Sequence, residues 1–173
     1  LGISLFFFDK IQPIYTAQMI SIRDLGSQQD EALDMYFHKR AKNQNKQIIG
    51  LEKIEEQINA FNSFPYELQA KELVKAVQNT NNQNNELEKL LDLYVKEDLD
   101  SLLILTKDNK NQDTLYNEII NNVLLVSRNY NMANRVEKHF KGNSVFIAVG
   151  AAHLPGSKGI INLLREKGYI VEP

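Results

Sequence analysis

Between Ser144 and Gly159 the chain reads SVFIAVGAAHLPGSKG, and no other stretch limits the fold as strongly. Ser144 to Val149 is a β-rich run with no polar interruption after its first residue, the pattern of a strand buried on both faces within a parallel sheet. Gly150 closes the run, and Pro155 opens a helix predicted over 155–167, with Gly168 as its cap and Tyr169-Ile170-Val171 as a last strand. A strand followed directly by a helix places the connecting turn at the carboxyl edge of a sheet, where open α/β sheets bind ligands. His153 lies in that turn.

Helical periodicity fills most of the remaining chain. Pro13 starts a helix through Ile14, Ala17, Met19 and Ile20 that Gly26 ends, and Ser27 with Asp30 forms a capping-box pattern before a helix carrying Ala32, Leu33, Tyr36, Phe37 and Ala41. After the turn 42–46, Gln47-Ile48-Ile49-Gly50-Leu51 has the look of a short buried strand. Helices are predicted from Glu52 to Phe61, from Pro65 through Val77, around Leu87–Val95 and around Leu99–Leu105. The tract QNTNNQNN at 78–85 and the polar stretch 107–113 read as exposed loops. The longest predicted helix covers 114–141, with a stripe at Leu115, Ile119, Val123, Val126, Tyr130, Ala133, Val136 and Phe140. The expected fold is a single helix-rich α/β domain over 1–173, with a small, mostly parallel sheet covered by helices.

The 173 residues suffice for one sizeable core. The 20 basic and 22 acidic side chains are scattered, with no basic patch among aromatics, so nucleic acid is not an expected partner. The chain has no Cys, which excludes disulfides, thiolate zinc sites and a thiol nucleophile. Leu5-Phe6-Phe7-Phe8 is too short to span a bilayer, which takes about 20 residues, and lacks the basic start of a signal peptide. It reads as an aromatic helix end packed into a core.

Three places could carry chemistry. Around His153, Gly150, Ala151, Ala152 and Gly156 keep side chains out of the way, so a metal or substrate could approach the backbone. Pro155-Gly156 and Gly159 at a helix start suit an anionic group. A lone histidine after a strand nevertheless serves structure more often than catalysis. Glu52 follows the run 47–51 as His153 follows 144–149, so the two side chains could share one rim, as metal ligands or as a base and its orienting partner; a first-turn helix acid is the plainer reading. Arg128 interrupts the apolar line Tyr116, Ile120, Leu124, Met132, so its guanidinium needs an anionic partner: Glu52, a bound carboxylate, or an acid on a neighbouring helix. His38 and His139 sit on charged helix edges, and the chain holds no HExxH, phosphate loop or GxSxG elbow.

The stretch Val145–Gly156 with Gly159, Leu163-Leu164 and Gly168–Val171 is similar to the closing block of the TraB/GumN family. Arg128-Asn129 with Met132-Ala133 resembles that family's Arg-Asn helix, and Gly50-Leu51-Glu52 with Gln57 and Phe61 resembles its Gly-Leu-Glu block. The family is related to the Tiki metalloproteases, and more remotely to erythromycin-esterase-like and haem-binding ChaN-like proteins. Its pattern is two Gly-x-x-His motifs with a Glu and an Arg between them. The resemblance implies a divalent metal held by His153 and Glu52, a hydrolytic or peptidase site with Arg128 as catalytic anchor, and Asn129, Gly150 and Gly156 lining the substrate position. It implies a peptide or small-molecule substrate and an extracytoplasmic location. The first Gly-x-x-His does not occur in residues 1–173, and Lys53 stands where Thr is usual. The expectation is therefore a domain lacking its N-terminal strand, inactive alone, with an open sheet edge that could pair two copies into a homodimer. A ligand- or haem-binding module of the same fold, and a helical accessory protein without a working site, are the alternatives.

Overall fold

The computed structural model describes residues 5–24, 31–78, 83–107, 113–140, 142 and 144–172. In order, the helices are α1 (Leu5–Phe8), α2 (Pro13–Asp24), α3 (Leu33–Asn43), α4 (Ile54–Asn62), α5 (Tyr66–Gln78), α6 (Gln83–Val95), α7 (Leu99–Lys107), α8 (Thr114–Ile119), a π-helical segment (Ile120–Val126), α9 (Ser127–Glu137), a 3₁₀ turn (Ala151–His153) and α10 (Ile160–Glu166). Among the described residues there is no strand and no sheet, so the expected sheet covered by helices is not the architecture found. The Gly26 stop and the Ser27–Asp30 cap lie outside the described residues, as does 108–112 of the predicted second loop. Phe6 of the aromatic run is exposed rather than packed inside.

The three predicted strands are extended segments without a ladder. Residues 144–149 were expected to be buried on both faces, but only one face is covered. Ile147 and Val149 pack inward, while Phe146 is 71% exposed. Residues 169–171 alternate likewise, with Tyr169 and Val171 inward and Ile170 at 91% exposure. A strand apolar on both faces needs two covering layers, and the described helices supply one. Carbonyls that a ladder would engage are met by side chains instead: Arg135 Nη1 donates to the Leu51 carbonyl (2.6 Å) and Arg165 Nη2 to that of Val171 (2.8 Å).

Two apolar clusters organise the described residues. Ala60, Phe64, Leu68 and Leu124 form one, with Tyr116, Ile119, Ile120 and Val123 against it. Met132, Val136, Ile160 and Leu164 form the other, where Leu51, Ile147, Val149, Tyr169 and Val171 converge. The second cluster therefore gathers all three extended segments onto α9 and α10. Separately, α2 lies along α5, pinned by buried Gln69, which donates to the Phe64 carbonyl (2.8 Å) and accepts from the Ile14 amide (3.4 Å).

Helix boundaries differ from the periodicity in instructive ways. The polar tract 78–85 was expected to be a loop throughout, yet α6 already begins at Gln83, and 79–82 lie outside the described residues. The predicted helix from Pro155 starts only at Ile160, because a turn at 155–159 must first close. Gly159 makes that closure feasible: a β-carbon there would lie 2.2 Å from the carbonyl oxygens of both Leu154 and Pro155. Gly159→Ala should cost about 2 kcal/mol, since backbone rather than a flexible side chain must yield. For a domain of this size that is a Tm lower by roughly 4–8 °C; calorimetry showing an unchanged Tm would contradict the packing described.

The long helix ends at Glu137 rather than 141, and its middle is not α-helical. Across Ile120–Val126 the backbone widens, with the Ser127 N–H reaching back five residues to the Asn122 carbonyl. The inward-facing positions show the consequence. They run Tyr116, Ile120, Leu124, then jump by five to Asn129, Ala133, Val136 and Phe140. One extra residue in the turn rotates everything beyond it by about 100°. Tyr130, on the stripe that strict periodicity predicts, is rotated to the surface, and Asn129 takes the buried place.

Candidate functional site

The rotation across the π segment decides which side chains of α9 face the turn 150–159. Arg128 and Asn129 open that helix, and the π segment itself packs beside the 3₁₀ turn bearing His153. The turn is held locally by the His153 N–H bond to the Gly150 carbonyl (2.9 Å) and the Leu154 N–H bond to that of Ala151 (3.1 Å). Gly156 has φ +83°, a left-handed conformation that favours glycine, and a β-carbon there would press on Leu103 at 2.8 Å.

Asn129 links the helix to the turn. Its Nδ2 donates to the Lys158 carbonyl (2.8 Å), which leaves Oδ1 as the acceptor facing His153 Nδ1 at 2.6 Å. The ring proton therefore sits on Nδ1, and Nε2 keeps its lone pair. Burial lowers the His153 pKa below its ordinary 6.5, the Arg128 charge adds to that fall, and the Glu52 charge opposes it. His153 is thus a half-buried, neutral imidazole of one fixed tautomer.

Glu52 reaches the same neighbourhood, through a fork with Arg128. Arg128 Nε donates to Oε1 (2.8 Å) and Nη2 to Oε2 (2.7 Å), while Nη1 donates to the Leu124 carbonyl in the π segment (3.0 Å). The two side chains are only 16% and 18% exposed. The Arg128 hydrogen bonds hold the Glu52 carboxyl below its ordinary 4.5, against burial, which raises it. The structure thus brings Glu52, Arg128, Asn129 and His153 into one row, in which Arg128 meets Glu52 and Asn129 meets His153.

Periodicity did not single out Arg135, Glu56 or Lys158, which extend this row. Arg135 lies two turns beyond Arg128 in α9 and Glu56 lies in the first turn of α4, four residues after Glu52, and the two form a second fork. The Arg135 hydrogen bonds, helped by the Lys53 backbone N–H, pull the Glu56 carboxyl down to about 2. The seven-residue spacing of the arginines against the four-residue spacing of the glutamates was the available signal. Lys158 Nζ donates to the Tyr130 hydroxyl (2.9 Å) beside the turn.

As a metal centre the described residues are incomplete. His153 Nε2 suits one coordination position, with Asn129 as the hydrogen-bonded support that ligating histidines usually have. Both Glu52 oxygens accept from Arg128, and no group of three His, Asp or Glu among the described residues could hold an ion. Nor is any described helix long and apolar enough to cross a membrane.

The model of the TraB/PrgY/gumN family matches residues 1–173. Two curated relatives each align with 95% of the chain. A protein named Metalloprotease TIKI homolog, from Nematostella vectensis, is 26% identical over 201 residues, with 41% of its own length covered. One named Metalloprotease TIKI2, from Danio rerio, is 24% identical over 196 residues, with 37% covered. The chain thus spans about two fifths of the length of these relatives. No solved structure matches it.

Proposed function

Because the chain belongs to the TraB/PrgY/gumN family, we propose that it forms part of a hydrolase acting on peptide bonds, with His153 Nε2 as the working atom. The observation that carries this reading is the 2.6 Å contact between His153 Nδ1 and Asn129 Oδ1. It commits one nitrogen to a hydrogen bond and leaves the other as a base near neutral pH, as a histidine oriented by an amide does in hydrolytic sites of unrelated fold. The names of the two relatives, both metalloproteases, support the reaction class.

His153 takes the proton of an attacking water at Nε2 and returns it to the departing amine. Asn129 keeps the ring in the required tautomer throughout. Arg128, paired with Glu52, sets a charge-balanced pair near His153 rather than a free cation. A divalent metal, which the relatives' names suggest, would need donors other than His153, whose single free lone pair at Nε2 is the base here.

The test is peptide hydrolysis by the full-length protein that carries this chain, with Asn129→Ala as the probe. Losing the orienting amide should lower kcat by 10–100-fold, the scale on which such supporting groups act, with secondary structure unchanged by circular dichroism. Hydrolysis at the wild-type rate in Asn129→Ala, or none in the wild type with any added divalent ion, would remove the proposal.

A further inference from the structure

We propose that Arg135 is a positioning residue for Glu52, gripping the chain on both sides of that carboxylate and so fixing the direction in which it meets Arg128. On the near side, Arg135 Nη1 donates to the carbonyl of Leu51, the residue before Glu52, at 2.6 Å. On the far side, the same nitrogen donates to Glu56 Oε2 at 2.7 Å and Nη2 to Glu56 Oε1 at 2.5 Å. Glu56 Oε2 also accepts from the Lys53 backbone N–H at 2.8 Å, so the grip extends to the residue after Glu52.

The segment needs such a grip. Leu51 and Glu52 lie in a bend between the extended run and α4, with neither ladder nor helix bonds of their own. A carboxylate on an unsupported bend would sample many directions, whereas the fork to Arg128 requires one orientation. Arg128 and Arg135 both project from α9, two turns apart, which makes that helix a rigid rule along which Glu52 is set. An exposed ion pair contributes little to stability by itself. Here the pair with Glu56 carries with it the bond to the Leu51 carbonyl, and only a planar guanidinium can hold a carboxylate by two bonds while one of its nitrogens also reaches that carbonyl.

The inference rests on the hydrolase reading only for its effect on turnover; the geometry is testable without it. The probe is the Arg128 Nε–H signal in ¹H–¹⁵N spectra, which its bond to Glu52 Oε1 protects from exchange with water. In Arg135→Ala this exchange should speed up by about ten-fold or more, while the amide signals of α9 and α10 stay in place. Arg135→Lys, able to reach either the Leu51 carbonyl or Glu56 but not to fork, should recover part of the protection. Glu56→Gln, which keeps one acceptor oxygen and puts an NH2 donor in place of the other, should give an intermediate rate with the fold intact. Unchanged Arg128 Nε–H exchange in Arg135→Ala overturns the proposal. If that variant does not fold, unchanged exchange in both Arg135→Lys and Glu56→Gln does so instead. In the full-length enzyme the same variants should lower kcat with KM retained. Faster Arg128 exchange in a protein with no turnover at all would count against the hydrolase reading alone and leave Arg135 in its role.

Discussion

Full-length protein carrying His153→Ala is expected to hydrolyse peptides about 10³-fold more slowly than wild type, within the usual range for loss of a general base. The substitution removes the nitrogen that would accept the water proton, and Asn129 cannot replace it, since its amide has no basic atom. The cost to the fold is smaller, roughly 1 kcal/mol, because Asn129 Oδ1, on a buried side chain of α9, loses its partner. Circular dichroism and calorimetry separate the two effects. The pH dependence follows from the lowered pKa of His153. Turnover should hold level from pH 8 down to 6.5 and decline only as the pH falls through the depressed folded-state value, where the ring becomes charged. The same shift makes the folded state lose stability as pH falls below 6.5, because the unfolded chain binds the proton more readily. A His153→Ala enzyme that retains turnover within ten-fold of wild type would rule His153 out as the base.

Arg128→Ala should destabilise the domain by about 3 kcal/mol at pH 7, a Tm lower by roughly 6–12 °C. The substitution leaves Glu52 charged at a site where its side chain is 18% exposed, and frees the Leu124 carbonyl in the π segment. Glu52→Gln keeps one acceptor for Arg128 but leaves that guanidinium without its counter-charge, so it should cost about 2 kcal/mol, between no change and the Arg128→Ala loss. The double variant Arg128→Ala, Glu52→Ala should cost less than the sum of the two alanine variants, since each single alanine strands the partner of the other. Acid provides a sharper check. In wild type the Glu52 pKa is depressed below 4.5, so its contribution is complete above that value and is lost as pH falls through the folded-state pKa. Without Arg128 the largest lowering influence is gone and burial, which raises the pKa, is left to dominate. The Arg128→Ala deficit should therefore shrink between pH 7 and pH 4. A deficit under 1 kcal/mol that does not change with pH would mean that the fork is a solvated surface pair.

Helix content was readable from spacing because each of these helices buries one stripe, and a stripe leaves a period. The turn at His153 was readable for a related reason: Gly150, Pro155, Gly156 and Gly159 crowd into ten residues, and at Gly156 and Gly159 the backbone admits little else. The sheet was misjudged. An unbroken apolar run such as Val145–Val149 means burial on both faces only when two layers cover it, and the run itself does not say how many layers there are. Phe146, whose ring meets that of Phe37 in α3 at a tilt with centroids 4.8 Å apart, stays largely exposed, so among the described residues no second layer covers that face.

The chemistry of the row divides in the same way. Sequence singled out Arg128 because a charged side chain inside an apolar line must find a partner, His153 and Glu52 because each follows an apolar run, and Asn129 through the family resemblance. Which partner each finds was decided by tertiary structure alone. The π segment inserts one residue's worth of rotation into the long helix, turning Asn129 inward to His153 and Arg128 to Glu52, and bringing Arg135 to the Leu51–Glu56 bend. Composition and period describe faces of regular elements, whereas a helix that widens for one turn breaks the period, and the partners beyond it exist only once the chain has packed.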